Sequence, residues 1–431
     1  MDALDQLVAQ VQALSGSEQD VAHLSSLLKQ ADELLRTHAL RLPFSLSSLH
    51  PTKHSLGYLY LLEAQSSGTL TREQSDSFLA LASSFLTVCA PEQIRLAPDK
   101  FNSVCRRLRD QAMHLHEPMR AILPLQCAIR KLQPSSEYLT AIHADYLQMC
   151  LLSKCYKASL SILEDDIFEI DQKKTSLVPR DFLLYCYYGG MIYIGLKKFS
   201  KALEFFQHAI TAPTTALNAI TIAAFGKYVL VSLIQNGQVP PFPKYTPAVV
   251  LRNLKSCVQD YLDLANLYAS RNIAEVKRCI TQHEEVFKNQ DNNLGLAKQV
   301  IASLYKRNIQ RLTQTYLTLS LQDIANTVQL DDEKDAELHI LQMIKDGDIF
   351  AAINQKDGMV SFQEDPEQYN TCDMTQRLNN EIHHIVCLAK KLTWVDEQVS
   401  CDHAYLSKIG RDRPRYDEDF DLVPQKIYTN I

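Results

Sequence analysis

The sequence predicts an all-α fold in three parts: an irregular solenoid of helical repeats, a winged-helix module with a small antiparallel β-sheet, and one long C-terminal helix. Three observations predict it. Apolar residues recur every three or four positions over most of the chain before residue 316, which is the spacing of amphipathic helices. Similar helical stretches return about 40 residues apart, which is the length of helical-hairpin repeats. Beyond residue 316 the pattern changes to two short helices and a β-hairpin.

Short amphipathic helices follow one another through the first part. Val8, Val11 and Leu14 lie on one helical face, and the leucines from Leu24 to Leu35 repeat the same spacing. Prolines and polar clusters interrupt the pattern at intervals that suit helices of roughly 12 to 20 residues with short connections. The interrupting prolines are Pro43, Pro91, Pro98, Pro118, Pro134, Pro179 and Pro213.

An internal repeat supports the solenoid. The stretch 121–129 is similar to 202–210, and a weaker copy lies at 156–160. The best copy is similar to a tetratricopeptide unit, because small and aromatic residues stand at that repeat's spacing before Pro213. Small residues let two helices approach closely, and aromatic rings fill the space between them. The predicted repeat-packing residues are Gly190, Tyr193, Ala202, Phe206 and Ala209.

Two short helices open the predicted winged helix. Residues 315–319 form either a short strand or a helix end, and Ser320 is placed to cap a helix over 321–328. A second helix is predicted over 334–345, ended by the glycine at 347. Its predicted apolar set is Ala336, Leu338, Ile340, Leu341 and Ile344.

A β-hairpin completes the module. Residues 349–353 and 359–362 flank a turn at 354–358 that ends in glycine. Such a hairpin closes a small sheet, and an edge strand offers unpaired backbone groups to a neighbouring module. The predicted interface residues of the sheet are Ile349, Phe350, Ile353, Met359, Val360 and Phe362.

One long helix is predicted from about Met374 to Ser400. Its apolar residues step by threes and fours, as in a coiled-coil seam, and we expect partner helices to cover them. The charged sequence from Gly410 onward predicts a disordered tail. The predicted interface residues of the helix are Leu378, Ile382, Ile385, Leu388, Leu392, Val395 and Val399.

These patterns predict three domains. Helical repeats occupy residues 1–196. A second domain covers 197–365, with a helical part at 197–315 and the winged helix at 316–365. Residues 366–431 hold the long helix and the tail. Within the second domain, the proline-rich stretch from Pro240 to Pro247 predicts a stiff, extended link.

Composition excludes several classes of function. The net charge of −6 gives no attraction to nucleic acid or anionic lipid. The 11 cysteines are scattered without a C-x-x-C motif, so we expect reduced thiols in a protein of the cytoplasm and nucleus. The acidic start of the chain is unlike a signal peptide, and no apolar run reaches the roughly 18 residues of a membrane helix. We therefore expect neither membrane nor nucleic-acid partners.

A search for catalytic chemistry finds no complete site. His114 and His116 have the H-x-H spacing of zinc isopeptidases, but Pro124 and Cys127 stand where the serine and aspartate of that site belong. His383 and Cys387 are one helical turn apart and supply only half of a metal site. No Walker loop, nucleophile elbow or dinucleotide-binding motif occurs. We expect no catalytic residue, metal or cofactor.

Charge also argues against DNA as the ligand of the winged helix. Nine acidic residues and only three lysines lie between residues 320 and 362, which leaves the module at −6. A phosphate backbone would be repelled by that charge. The basic patch of Lys306, Arg307 and Arg311 just before it is expected to be a salt-bridged or solvated helix face.

A helical-repeat array that runs into an acidic winged helix and a long helix resembles the PCI family, found in the proteasome lid, the signalosome and translation initiation factor three. The stretches at 187–197, 304–313 and 353–362 are most similar to its signalosome members. The resemblance implies a non-catalytic scaffold whose winged helix and C-terminal helix contact other subunits. It also implies a complex that removes NEDD8 from cullins and so regulates cullin-RING ubiquitin ligases.

Three alternatives remain open at this stage. The same domain order occurs in a scaffold subunit of the proteasome lid. A winged helix is also compatible with a nucleic-acid-binding regulator, and the H-x-H pair with an isopeptidase acting alone. The three signalosome-like stretches favour the scaffold of the signalosome, reached by cullin-RING ligases only indirectly.

Overall fold

The computed structural model describes residues 3–16, 18–38, 41–66, 68, 71–290, 292–330, 332–364 and 371–412. The chain divides into one unit that ends at Phe362 and another that begins at Gln363. Helices make up most of both units, as the apolar periodicity predicts.

Nineteen α-helices precede the first strand in the described part of the chain. The first nine are α1 (Ala3–Leu14), α2 (Glu18–Gln30), α3 (Asp32–Thr37), α4 (Leu42–Ser47), α5 (Ser55–Gln65), α6 (Arg72–Val88), α7 (Pro91–Ile94), α8 (Pro98–His114) and α9 (Met119–Leu132). The next five are α10 (Ile142–Leu152), α11 (Tyr156–Leu163), α12 (Gln172–Thr175), α13 (Pro179–Gly195) and α14 (Phe199–Thr211). The last five are α15 (Ala219–Gln235), α16 (Ala248–Cys257), α17 (Gln259–Ser270), α18 (Ile273–Gln282) and α19 (Leu294–Thr315).

Proline marks helix starts, as the sequence predicts. Pro91, Pro98 and Pro179 are the first residues of α7, α8 and α13, and Pro118 is the N-cap of α9. Proline fits there because the first helical N–H groups have no partner within the helix. The predicted lengths miss four short helices, α3, α4, α7 and α12, which have four to six residues each. Helices α4 and α7 lie at Pro43 and Pro91, which the sequence marks as interruptions, whereas α3 lies within the predicted leucine pattern.

The predicted repeat corresponds to three consecutive helix pairs. Helices α8 and α9, α10 and α11, and α13 and α14 pack as hairpins, and α10 packs against both α9 and α13. The three similar sequence stretches lie on α9, α11 and α14, the second helix of each pair. Each hairpin therefore covers the apolar face of the next, which is how a helical-repeat solenoid builds its core.

Glycine allows the closest of these approaches. A Cβ atom placed on Gly190 of α13 would lie 2.6 Å from the ring of Phe206 on α14, and Phe206 is fully buried. Tyr193 donates a hydrogen bond from its hydroxyl to the backbone oxygen of Leu163, at 3.2 Å. Ala202 is also completely buried on the facing side of α14. Gly190 and Phe206 thus meet at one helix–helix contact, and Tyr193, Ala202 and Ala209 are buried on the same two helices.

The proline-rich stretch connects α15 to α16 without helix, as predicted. Phe242 in this link packs against Phe225 of α15, with ring centroids 5.3 Å apart. A contact of this kind holds the link against the helix that precedes it.

A winged-helix module ends the first unit. It contains β1 (Thr318–Ser320), α20 (Leu321–Val328), α21 (Glu333–Asp346), β2 (Phe350–Asn354) and β3 (Met359–Gln363). The three strands form one sheet in the order β1-β3-β2, and β1 pairs antiparallel with β3. The predicted fold class is confirmed, and the ambiguous residues before Ser320 include a helix end and a strand.

Local signals set the ends of these elements. The Ser320 side chain accepts a hydrogen bond from the backbone N–H of Asp323 at 3.0 Å, which caps α20. Gly347 follows α21 with φ of 76°, and Gly358 closes the hairpin turn with φ of 62°. Both angles lie in the left-handed region that glycine tolerates best.

The second unit contains α22 (Cys372–Cys401) and α23 (His403–Asp412) among its described residues. The first of these confirms the long helix predicted from Met374 to Ser400. The second corrects the predicted start of the tail, because helix continues through Gly410 to Asp412. The remainder of the predicted disordered tail lies outside the described residues. None of the described helices has both the length and the apolar content that crossing a membrane requires.

The contact between Gly190 and Phe206 predicts that a larger residue at position 190 lowers the stability of the fold. Gly190→Ala should lower the free energy of unfolding by about 1–3 kcal/mol, because the new methyl group meets a ring that has no room to move. Gly295→Ala is the matched control, since nothing lies within 4 Å of a Cβ there and alanine favours helix by up to about 1 kcal/mol. Urea unfolding followed by circular dichroism measures both. Equal midpoints for the two variants would contradict the close packing.

Candidate interaction surfaces

Ion pairs and a stacked ring pair hold the winged helix against α19. The Lys306 ammonium lies 2.8 Å from a carboxylate oxygen of Asp346 and 2.9 Å from one of Asp348. Tyr305 stacks on His339 of α21, with centroids 5.3 Å apart. Burial lowers the pKa of Lys306, but its hydrogen bonds to the two aspartates outweigh burial and raise it. The module is therefore joined to the last helix of the array.

The sheet residues predicted as an interface do not all face outward. Ile349, Val360 and Phe362 are buried in the core of the module, and Ile353 and Met359 are half-buried. Only Phe350 among the six is exposed, at 36%. The side chains of the three buried residues are thus unavailable to a partner, because the helices of the module already cover that face of the sheet.

Strand order decides which backbone is free to pair. Strand β3 is central, since its residues from Met359 to Ser361 pair with β1 and its other side pairs with β2. The backbone of Phe362 also donates to the oxygen of Leu317 at 2.8 Å. The edges of the sheet are therefore β1 and β2, and of the six predicted interface residues only Phe350 and Ile353 belong to an edge strand.

A shallow apolar groove lies between α21 and the edge strand β2. It encloses about 680 Å³, and its apolar lining comprises Leu341, Ile344, Ala351 and Ile353. Leu338 is 64% exposed and Leu341 47% exposed on the same helix. The sequence placed both in the apolar set of α21, but Met343, with Ala336 and Ile340, completes its buried side. The spacing of 336, 340 and 343 could have revealed two apolar faces on this helix.

The second predicted surface is α22, and the structure describes none of its residues as buried. The seven predicted seam residues are 40% to 71% exposed, with Leu392 the most exposed. Drawn at 100° per residue, they occupy an arc of about 140° on the helix. Val386 and Trp394 are exposed apolar residues that the seam omitted, at 47% and 46%. Val386 widens the face, which is broader than the a/d seam of a two-helix coiled coil.

The candidate catalytic and metal residues are spread over the surface. His114 and His116 are exposed at the end of α8, before α9. His383 is exposed on α22, where its Nδ1 lies 2.9 Å from the backbone oxygen of Asn379. Within the ranges that the structure describes, no three histidine, cysteine or acidic residues are grouped as metal ligands.

The charge of the winged helix is concentrated where a DNA-reading helix would begin. The first turn of α21 carries Glu333 and Asp335, preceded by Asp332 at the N-cap. Helix N-termini attract anions, and these carboxylates occupy that role themselves. A phosphate group approaching this end would meet negative charge.

Comparison with known proteins identifies the family. A family model described as COP9 signalosome complex subunit 3, N-terminal helical repeats, matches residues 18–250, and a PCI domain model matches residues 280–364. COP9 signalosome complex subunit 3 of Arabidopsis thaliana is 48% identical over 430 residues, covering 99% of both chains. The chain belongs to the COP9 signalosome subunit 3 family. Its counterpart in Dictyostelium discoideum is 40% identical over 390 residues, covering 90% of this chain and 92% of the relative.

Membership in the subunit 3 family confirms the resemblance drawn from the three stretches. The matched regions also agree with helical repeats followed by a PCI module. The boundaries at residues 196 and 365, and the interface roles of individual side chains, stay predictions.

The two faces of α21 predict different responses to mutation. Ile340→Ala should lower the free energy of unfolding by about 2–5 kcal/mol, because it empties a fully buried site. Leu341→Ala, the adjacent exposed residue, should change it by less than about 0.5 kcal/mol. Denaturant unfolding of the full chain provides the comparison. A Leu341 variant as unstable as the Ile340 variant would mean that the groove is not open.

Proposed function

We propose that this protein is a non-catalytic scaffold subunit of the COP9 signalosome, the complex that removes NEDD8 from cullins and so regulates cullin-RING ubiquitin ligases. The observation that carries the proposal is the exposed apolar face of α22. Seven aliphatic side chains in regular register lie open on a helix of 30 residues. Membership in the subunit 3 family supports this particular assembly over the proteasome lid.

The α22 face is suited to a bundle of helices from sister subunits. Burying an aliphatic side chain contributes about 1.5–3 kcal/mol. Seven of them supply a gross contribution on the order of 10 kcal/mol, from which the cost of ordering the partners is subtracted. An apolar arc of about 140° exceeds the contact that one neighbouring helix makes. We therefore propose that at least two partner helices cover α22.

The winged helix provides the second contact. Strand β2 is an edge of the sheet, and an edge strand can extend hydrogen bonding to a neighbouring module. The groove beside it, lined by Leu341 and Ile344, offers apolar surface next to those backbone groups. A partner at this position could pair with the backbone of β2 and bury the side chains of the groove, which supports a subunit contact there.

A scaffold role without catalysis rests on residue chemistry. The only H-x-H pair of the isopeptidase type is His114 and His116, and Pro124 and Cys127 replace the serine and the carboxylate ligand. Without that carboxylate a zinc ion and its activated water would lack their third protein ligand. The chain would then contact cullin-RING ligases only indirectly, through other subunits of the complex. A scaffold of this kind requires no cofactor.

We also propose residence in both cytoplasm and nucleus. The 11 cysteines support it: in the described chain all are free thiols, and several are buried with a raised pKa. Free thiols persist in compartments that keep cysteine reduced. Imaging of the tagged chain at its natural expression level tests this. Secretion of the protein, or its confinement to a compartment other than the cytoplasm and nucleus, would refute it.

Charge on the α22 face should prevent assembly. Replacing Leu378, Ile382 and Ile385 together with aspartate places three carboxylates where partner helices would pack, so the chain should no longer co-purify with the complex. Because these side chains are 54% to 61% exposed, the helical-repeat unit should keep its unfolding midpoint. Native mass spectrometry of the captured assembly gives the readout and identifies the sister subunits.

The control uses the opposite side of the same helix. Gln376, Asn380 and His383 have the same spacing and are exposed, and their triple aspartate variant should co-purify normally. Retention of the first triple variant, or equal loss of both, would refute the role of the apolar face. Capture of proteasome-lid subunits instead would reassign the assembly.

The purified chain should show no processing of a NEDD8–cullin conjugate, with or without added zinc. The assembled complex serves as the positive control in the same assay. Processing by the isolated chain that a chelator abolishes would establish an enzyme and overturn the scaffold proposal.

A further inference from the structure

A second concave surface, which shares no lining residue with the winged-helix groove, lies where α15, α17 and α19 meet. It encloses about 410 Å³. Three arginines line it: Arg271 at the end of α17, and Arg307 and Arg311 one turn apart on α19. Tyr268 and several amide side chains complete the lining, and no described lining residue is acidic. The scaffold role makes no use of this pocket.

The arginines of this pocket differ from the neighbouring Lys306 in having no acidic partner in the described part of the chain. Lys306, adjacent to Arg307 on α19, is neutralised by Asp346 and Asp348. The side chains of Arg271 and Arg311, in contrast, have no ion pair or hydrogen bond with any residue that the structure describes. The basic patch recognised in the sequence is thus salt-bridged at Lys306 but leaves charge uncompensated at Arg311.

Arg307 has a structural role that holds it in place. It donates a hydrogen bond to the backbone oxygen of Gln235 at 2.7 Å, which caps the end of α15. Gly237, with φ of 76°, makes room, because a Cβ there would lie 2.8 Å from the guanidinium. The Nε of Arg307 is enclosed and has no hydrogen-bond partner. One guanidinium is therefore held at the pocket by the end of α15.

Helix ends reduce the positive charge but do not cancel it. The C-termini of α15 and α17 both lie at the pocket, and each carries roughly half a negative charge. Three guanidinium groups set against about one negative charge leave roughly two positive charges in a space open to solvent.

We propose that this pocket binds a phosphate group. A phosphate monoester carries roughly −1.5 to −2 charges and presents three strong acceptor oxygens, which matches the charge left by the three arginines. A single carboxylate would neutralise only about half of it. Guanidinium groups bind phosphate through paired N–H donors, and Arg271 and Arg311 have theirs free. The phosphate belongs to a small phosphorylated compound or to a phosphorylated side chain of a protein.

Calorimetric titration of the full chain with pyrophosphate, at constant ionic strength, tests the site. We expect saturable binding of one equivalent. Arg271→Gln combined with Arg311→Gln should weaken it by at least roughly tenfold, because two charge-assisted contacts are lost. Both residues are exposed, so the unfolding midpoint should not change. Arg252→Gln, an exposed arginine of α16 outside the pocket, is the control and should bind like the unaltered chain.

A parallel titration with a short phosphoserine peptide separates the two sources of phosphate. Tighter binding of the peptide supports a phosphorylated protein, and tighter binding of pyrophosphate supports a small compound. Absence of saturable binding, an undiminished affinity in the double variant, or equally tight binding of malonate would overturn the proposal.

Discussion

The need of each amphipathic helix for a neighbour governs this structure. A helix pair such as α13 and α14 brings its members together closely only because Gly190 leaves space for the ring of Phe206. Even so, the pair exposes apolar surface that the next pair must cover, and α10 and α15 supply that cover. Stability in such an array comes from interfaces between neighbours, so the array requires an end that is finished differently.

The same requirement explains the contrast between the two units. In the first unit other helices enclose most of the apolar residues of the repeat helices. Helix α22 has a comparable apolar face, yet the structure describes none of its residues as buried. A soluble protein seldom leaves so regular an apolar surface open, and such surfaces mark sites of association. The proposed scaffold role gives this exposed face a function, because partner helices would bury it in the assembled complex.

Sequence reasoning succeeded where the determining signal is local. Ser320, Gly347 and Gly358 define the ends of the winged-helix elements within about one residue, because a cap or a turn depends on a few adjacent positions. The order of the strands depends on pairing across the whole module, so the hairpin pattern alone does not show that β3 is central. The meeting of Arg271 with Arg311 likewise depends on tertiary packing that periodicity does not encode.

Helix α19 has a mechanical consequence. Its 22 residues span about 33 Å, and it packs against α15 and α18 as well as α20 and α21. Lys306 clamps its flank to both ends of the turn that follows α21. In the proposed assembly, a neighbour that tilted the winged helix would also tilt α19 and the repeat helices packed against it. The contact at the winged helix would then set the direction of the repeat array.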